Sequence, residues 1–237
     1  MSGKAGRRPS RPALAKLMSC FSLSVRTSSF VCPLDDLNFT AANLGGNLNI
    51  SISRGFYLDP PNLCTHSLLN LLSTIPGSLR APETQPRFII VTSMAATSES
   101  QGALPLILKP LYYAVLPATL ADKLGMERVL SHCAGWSWSF KDEPSNDILP
   151  QSWQSTPRLP SQGELKNVVI VRPAVLTDGE SRGDEAGTTG KAPYRTKKDM
   201  IMGSAYRVSR KDVAHFVVEE VLPNWSEWEG SGVVLAY

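Results

Sequence analysis

The chain has no cysteine pair at metal or redox spacing. Its four cysteines, at 20, 32, 64 and 133, never form C-x-x-C, and its three histidines, at 66, 132 and 215, share no ligand spacing. That excludes the common zinc modules, predicts no metal site, and fits reduced thiols inside a cell. A clean membrane span is also absent. The longest apolar stretch, Leu104 to Ala121, holds Lys109 and prolines at 105, 110 and 117, which a spanning helix tolerates poorly. No membrane association is expected. Acid is missing from residues 1–34, where Lys4, Arg7, Arg8, Arg11, Lys16 and Arg26 stand alone. Beyond residue 34, 18 of the 24 basic groups face all 21 acidic ones. The body is thus mildly acidic, and its charge does not point to nucleic acid.

The 237 residues, 42% hydrophobic and 19% charged, are enough for one packed domain and unlike a coiled coil or a disordered chain. Eighteen prolines predict short, interrupted elements. Residues 1–34 read as a basic, disordered leader that does not pack on the domain, and residues 35–237 as the domain. A cytoplasmic protein is the plain expectation. The acid-free start keeps a mitochondrial transit segment as the alternative.

Along the domain, Leu48–Ser53 alternates like a short strand. Thr65–Ile75 carries leucines at helical spacing, with Thr65 as candidate cap and Pro76-Gly77 as stop. Phe88–Val91 and Val168–Val171 are continuous apolar runs, the mark of strands buried on both faces. Between them Ala118–Cys133 reads as a helix closed by Gly135. Residues 178–205 read as a polar surface loop. Ser209-Arg-Lys-Asp212 is a capping box opening a helix over Arg210–Leu222, before Pro223. Val233–Ala236 is a last strand. Strand–helix alternation of this kind predicts an α/β fold: a Rossmann-like, doubly wound parallel sheet, incomplete or divergent on its N-terminal side. Strands 88–92, 168–172 and 232–236 should be neighbours or near neighbours. In such folds a ligand sits beyond the carboxyl ends of the strands.

Thr92-Ser93 and Pro173-Ala174-Val175-Leu176 stand at two such ends, and Asp122-Lys123 opens the helix between them. A serine there can orient a carbonyl, and a lysine can bond ribose hydroxyls. The same residues also read as a turn serine and a solvated helix charge. Trp136 and Trp138 read as loop packing, and His132 and His215 as structural.

The motifs KNVVIVRPAVLTDGE (166–180) and VSRKDVAHFVVEEVL (208–222) resemble the C-terminal half of a known group. It is the NmrA-like, NAD(P)H-binding atypical short-chain dehydrogenases/reductases, with fungal NAD(P)-binding proteins and the flavin reductase/biliverdin reductase B type among its members. FIIVTSMAAT (88–97) is similar to the group's serine-bearing strand, and ADKLGMERVL (121–130) to its lysine-bearing helix. The likeness covers residues 87–237. It implies Ser93 as catalytic residue, Thr92, Ser93, Lys123, Pro173, Ala174 and Val175 as cofactor contacts, and NADP or NAD as cofactor. Partners would be the dinucleotide and a small-molecule substrate. Ala174 replaces the group's usual glycine. The group's G-x-x-G-x-x-G turn is not found in residues 1–87; Gly45-Gly46 has no apolar strand before it and no third glycine. Tyr112 and Tyr113 stand 11 and 10 residues before Lys123, so the Tyr-x-x-x-Lys pair is missing too. Weak dinucleotide binding follows. Three readings are implied: an NAD(P)H-dependent oxidoreductase acting on a small carbonyl or flavin-like acceptor, a non-catalytic dinucleotide-sensing or regulatory relative, or a truncated family member with weak or no cofactor binding.

Overall fold

The computed structural model describes residues 30–33, 39–43, 47–51, 55–189, 192–198 and 201–237. Ten strands are described: Phe30–Pro33 (β1), Phe39–Asn43 (β2), Asn47–Ser51 (β3), Gly55–Asp59 (β4), Arg87–Val91 (β5), Val168–Pro173 (β6), Val175–Thr177 (β7), Arg195–Lys198 (β8), Arg207–Ser209 (β9) and Ser231–Ala236 (β10). Helices are Leu63–Ser73 (α1), Ser98–Gly102 (α2), Pro117–Ala134 (α3), Arg182–Thr189 (α4), Arg210–His215 (α5) and Trp225–Trp228 (α6). The main sheet has the order β1-β2-β5-β6-β10-β8. β2, β5, β6 and β10 run parallel; β1 and β8 are antiparallel edges. Strands β3 and β4 form a separate hairpin, and β7 with β9 a small parallel pair.

The apolar runs explain this sheet. Alternate residues of a strand point to opposite faces, so a run with no polar member needs cover on both. One face, with Ile89, Val91, Val169, Val171, Val233 and Leu235, packs against Val213, Phe216 and Val217. The other, with Phe88, Ile90, Val168 and Ile170, packs against Leu68 and Leu72 of α1 and Met126, Val129 and Leu130 of α3. Helices on both faces of a mostly parallel sheet make the fold α/β and Rossmann-like. The three expected strands are adjacent and parallel. Among the described residues no helix is long and apolar enough to cross a membrane.

Several elements differ from the sequence reading. A strand, β2, does precede Gly45-Gly46 and pairs with β5; the next described element is another strand, β3, rather than a helix. Of the leader, residues 1–29 and 34 lie outside the described residues, while Phe30–Pro33 pairs with β2 as the sheet edge. The supposed loop 178–205 contains α4 and β8. Arg195, Thr196 and Lys197 are exposed, so this edge strand has no apolar alternation to betray it. The helix from Arg210 relaxes at Phe216–Val221 into a wide π turn.

Thr65 does not cap α1; that helix starts at Leu63 after Asn62. Its first turn is anchored instead from α3. Asp122, fully buried, accepts from the backbone N–H groups of Cys64 and Thr65, both at 2.9 Å, and from Thr65 Oγ1 at 2.8 Å. At the far end of α3, Gly135 takes the expected left-handed cap, with φ of 75°. Asp122→Ala strips the Cys64 and Thr65 backbone amides of their acceptor, each worth about 1–3 kcal/mol when unsatisfied, while the Thr65 hydroxyl keeps the Asp122 backbone carbonyl at 2.8 Å. We expect a loss of about 2–4 kcal/mol, lowering Tm by roughly 5–15 °C in thermal melts.

Candidate active-site cleft

The carboxyl ends of β5 and β6 are joined by one side chain of α3. Glu127, 1% exposed, accepts from Thr92 Oγ1 at 2.6 Å and takes a two-pronged contact from Arg172. The Nε group reaches Oε1 and Nη2 reaches Oε2, both at 3.0 Å. Forked guanidinium–carboxylate contacts fix both partners in one orientation. A buried charge keeps such a partner because losing it costs several kcal/mol.

Ser93, the residue after Thr92, is half-buried and opens into a cleft of about 730 Å³. That lies within the usual span of small-molecule sites, roughly 300–1,000 Å³. Glu127 and Ser131 of α3, Val234 of β10, Trp136 and Trp138 are among its lining residues. Ser93 Oγ accepts from Ala95 N at 3.4 Å, and its proton is taken up by no acceptor among the described residues. A hydroxyl so placed can donate to a ligand carbonyl.

The expected site residues separate in space. Ser93 lies in the cleft. Thr92 is turned inward to Glu127. Pro173 accepts from Met94 N at 3.1 Å, and Ala174 N donates to Leu235 O at 3.0 Å. Ala174 is buried with Met94 and Ala95, so these two residues back the serine turn rather than face the cleft. Val175 is half-buried and begins β7. Lys123 is 8% exposed and does not line this cleft; its Nζ donates toward Cys64 Sγ at 3.6 Å and Met126 Sδ at 3.8 Å. Burial pushes the Cys64 thiol up to about 11, against the opposing charge of Lys123, so it is no nucleophile at neutral pH. The sequence reading missed Glu127, Arg172 and the lining role of Trp136 and Trp138. A glutamate one turn after Lys123 on a buried helix was the available signal.

A nicotinamide dinucleotide would need a cradle for its phosphates. Among the described residues no strand leads through a glycine turn into a helix. The first amides of α1, the helix leading into β5, already serve Asp122. The described residues therefore do not fit the pyrophosphate.

A second buried carboxylate organises the far side. Asp212 accepts from Ser181 Oγ at 2.9 Å, Gly183 N at 2.8 Å, Arg182 N at 3.2 Å and Ser209 Oγ at 3.0 Å. The Tyr237 hydroxyl donates to it as well. Ser209 Oγ accepts from Asp212 N, one half of the expected capping box. The other half is replaced: Ser209 N donates to Tyr237 Oη. His215 bonds Tyr194 Oη through Nδ1 at 2.8 Å, and His132 packs edge-on to Trp153.

No family model matches the chain. It is similar to a protein described as reductase pytE of Aspergillus terreus, 28% identical over 208 residues, 86% of this chain and 69% of that one. It also resembles two solved short-chain dehydrogenase/reductase structures from Veillonella parvula, 12% and 13% identical, at TM-scores of 0.40 and 0.39 over 73% of this chain. The chain spans 56% and 68% of those proteins, and the second was solved in complex with NADP. Likeness at that level leaves the fold to be read from the strand order itself.

Burial alone raises the Asp212 carboxyl, but the hydrogen bonds from Tyr237, Gly183, Ser181 and Arg182 outweigh it and hold it below its ordinary 3.8. Its contribution is full above that ordinary value and fades as pH falls through the lower native one. Asp212→Asn should cost about 2–4 kcal/mol at neutral pH. The gap in Tm between wild type and variant should close as melts are repeated below about pH 4.

Proposed function

We propose that the chain is an NAD(P)H-linked oxidoreductase of the short-chain dehydrogenase type that reduces a small carbonyl or flavin-like acceptor and holds its dinucleotide weakly. One observation carries the reading: Ser93 stands at the carboxyl end of β5, in the parallel core of a Rossmann-like sheet, with its hydroxyl on a ligand-sized cleft. Ligands of such sheets sit at that edge. Similarity to a reductase over most of the chain supports the same class. Ser93 would donate to the acceptor carbonyl and stabilise charge developing on its oxygen. Glu127 and Arg172 position it by tying the ends of β5 and β6 to α3.

A second reading, a dinucleotide-sensing relative without turnover, is favoured by the missing Tyr-x-x-x-Lys pair and by Lys123 lying against Cys64; the missing phosphate cradle weakens both readings. Each lost charged hydrogen bond is worth about 1.5–3 kcal/mol, so two cost on the order of 10²- to 10⁴-fold in affinity. We expect NADPH to bind at tens of micromolar or weaker in calorimetry. With a panel of aromatic aldehydes, ketones and flavins, NADPH oxidation should fall roughly tenfold or more in Ser93→Ala. Binding without oxidation of NADPH by any acceptor would select the second reading.

A further inference from the structure

We propose that the outward face of residues 106–114 is a peripheral membrane contact, which seats Leu106, Ile107 and Tyr113 in the interfacial layer of a lipid bilayer. Three observations carry it. The first is a helical run that is apolar on both sides. Leu106–Leu108 form one tight turn and Leu111–Val115 a wide one, with Lys109 and Pro110 helical between them. The inward side is accounted for: Tyr112 is buried in a cluster with Met94, Ala95 and Leu104, and Leu108 and Leu116 pack on that cluster. The outward side carries Leu106, Ile107, Pro110, Tyr113 and Ala114, all exposed. Leu106 and Ile107 are 80% and 79% exposed. A helix apolar all round belongs in an apolar surrounding, and contiguous exposed apolar groups mark a protein or a membrane contact.

The second observation is charge. Residues 101–121 hold no acid and a single cation, Lys109, which makes no ion pair among the described residues. Lysine is depleted from protein–protein contacts. At a bilayer it reaches the lipid phosphates while its stem and a neighbouring tyrosine stay in the interfacial layer. The third observation is size and shape. Leu106, Ile107 and the exposed half of Tyr113 offer roughly 300 Å² of apolar surface. A stable dimer takes about 800 Å² from each partner. Two adjacent side chains that are four-fifths exposed stand clear of their neighbours, a shape that a fluid apolar phase accepts without a matching pocket. Among the described residues no helix is long and apolar enough to span, so the contact lies in the plane of the interface. Ser100, which lines the cleft, stands six residues before Leu106, so the bilayer contact lies within about 20 Å of the cleft wall.

The test is co-flotation of the full chain with neutral phosphatidylcholine vesicles at raised salt. Neutral lipid and salt remove the attraction of the six cations in residues 1–34 for anionic lipid. The wild type should float with the vesicles. Leu106→Ser combined with Ile107→Ser should lower the partition coefficient roughly tenfold or more at an unchanged melting temperature. Ile107→Ser alone, which decides the matter if the pair unfolds, should lower it about threefold or more. Leu106→Met combined with Ile107→Met, apolar but differently shaped, should stay within about twofold of wild type. Sedimentation velocity without lipid should give one mass for wild type and the serine pair. Four results would each overturn the proposal: a wild type that does not float, serine variants that float as wild type does, a methionine pair that binds as poorly as the serine pair, and a wild-type dimer that the serine pair dissociates. The last would assign the face to a second copy of the chain. None of these readouts involves NADPH, so they stand or fall apart from the enzymatic reading.

Discussion

The Glu127 carboxylate is the constraint on which the site depends. It reaches from α3 to the ends of both central strands, through Thr92 on one and Arg172 on the other. A carboxylate so buried carries a large desolvation cost. It is held in place because three donor contacts satisfy it at once. The same contacts set where α3 lies over the sheet. They therefore hold α3 beside the strand end that carries Ser93.

The other buried acids work in the same way. Asp122 ties α3 to the first turn of α1, and Asp212 ties α4, β9, α5 and Tyr237 into one knot. Each offers acceptors to backbone amides that open a helix, a place where an anion is favourable. At α1 the chain's own carboxylate fills a position of the kind that suits a ligand phosphate. This makes the fold self-contained on that side.

Much of the scaffold was legible in the sequence. The runs FIIV and VVIV read as strands buried on both faces, since their short, β-branched character suits a parallel sheet and either face left in water would expose large apolar groups. Gly135 announced the end of α3 because only a residue without Cβ takes a left-handed cap freely. Strands β2 and β8 were illegible. They are edge or near-edge elements in polar or mixed stretches, and their strand state comes from pairing with β5 and β10, not from their own pattern.

By itself the sequence determined the α/β class, the adjacency of three parallel strands, the helix between them and the placing of Ser93 at a strand end. Those follow from local periodicity and from the burial demanded by apolar runs. The direction of individual polar side chains was decided only by tertiary structure. Lys123, Glu127 and Ser131 share one helix face at four-residue spacing, and nothing in that spacing tells which meets a thiol, which an arginine and which a cavity. That is set by what α1 and the sheet present opposite each turn. A buried polar group goes where its hydrogen bonds can be made, and those partners come from residues tens of positions away in the chain.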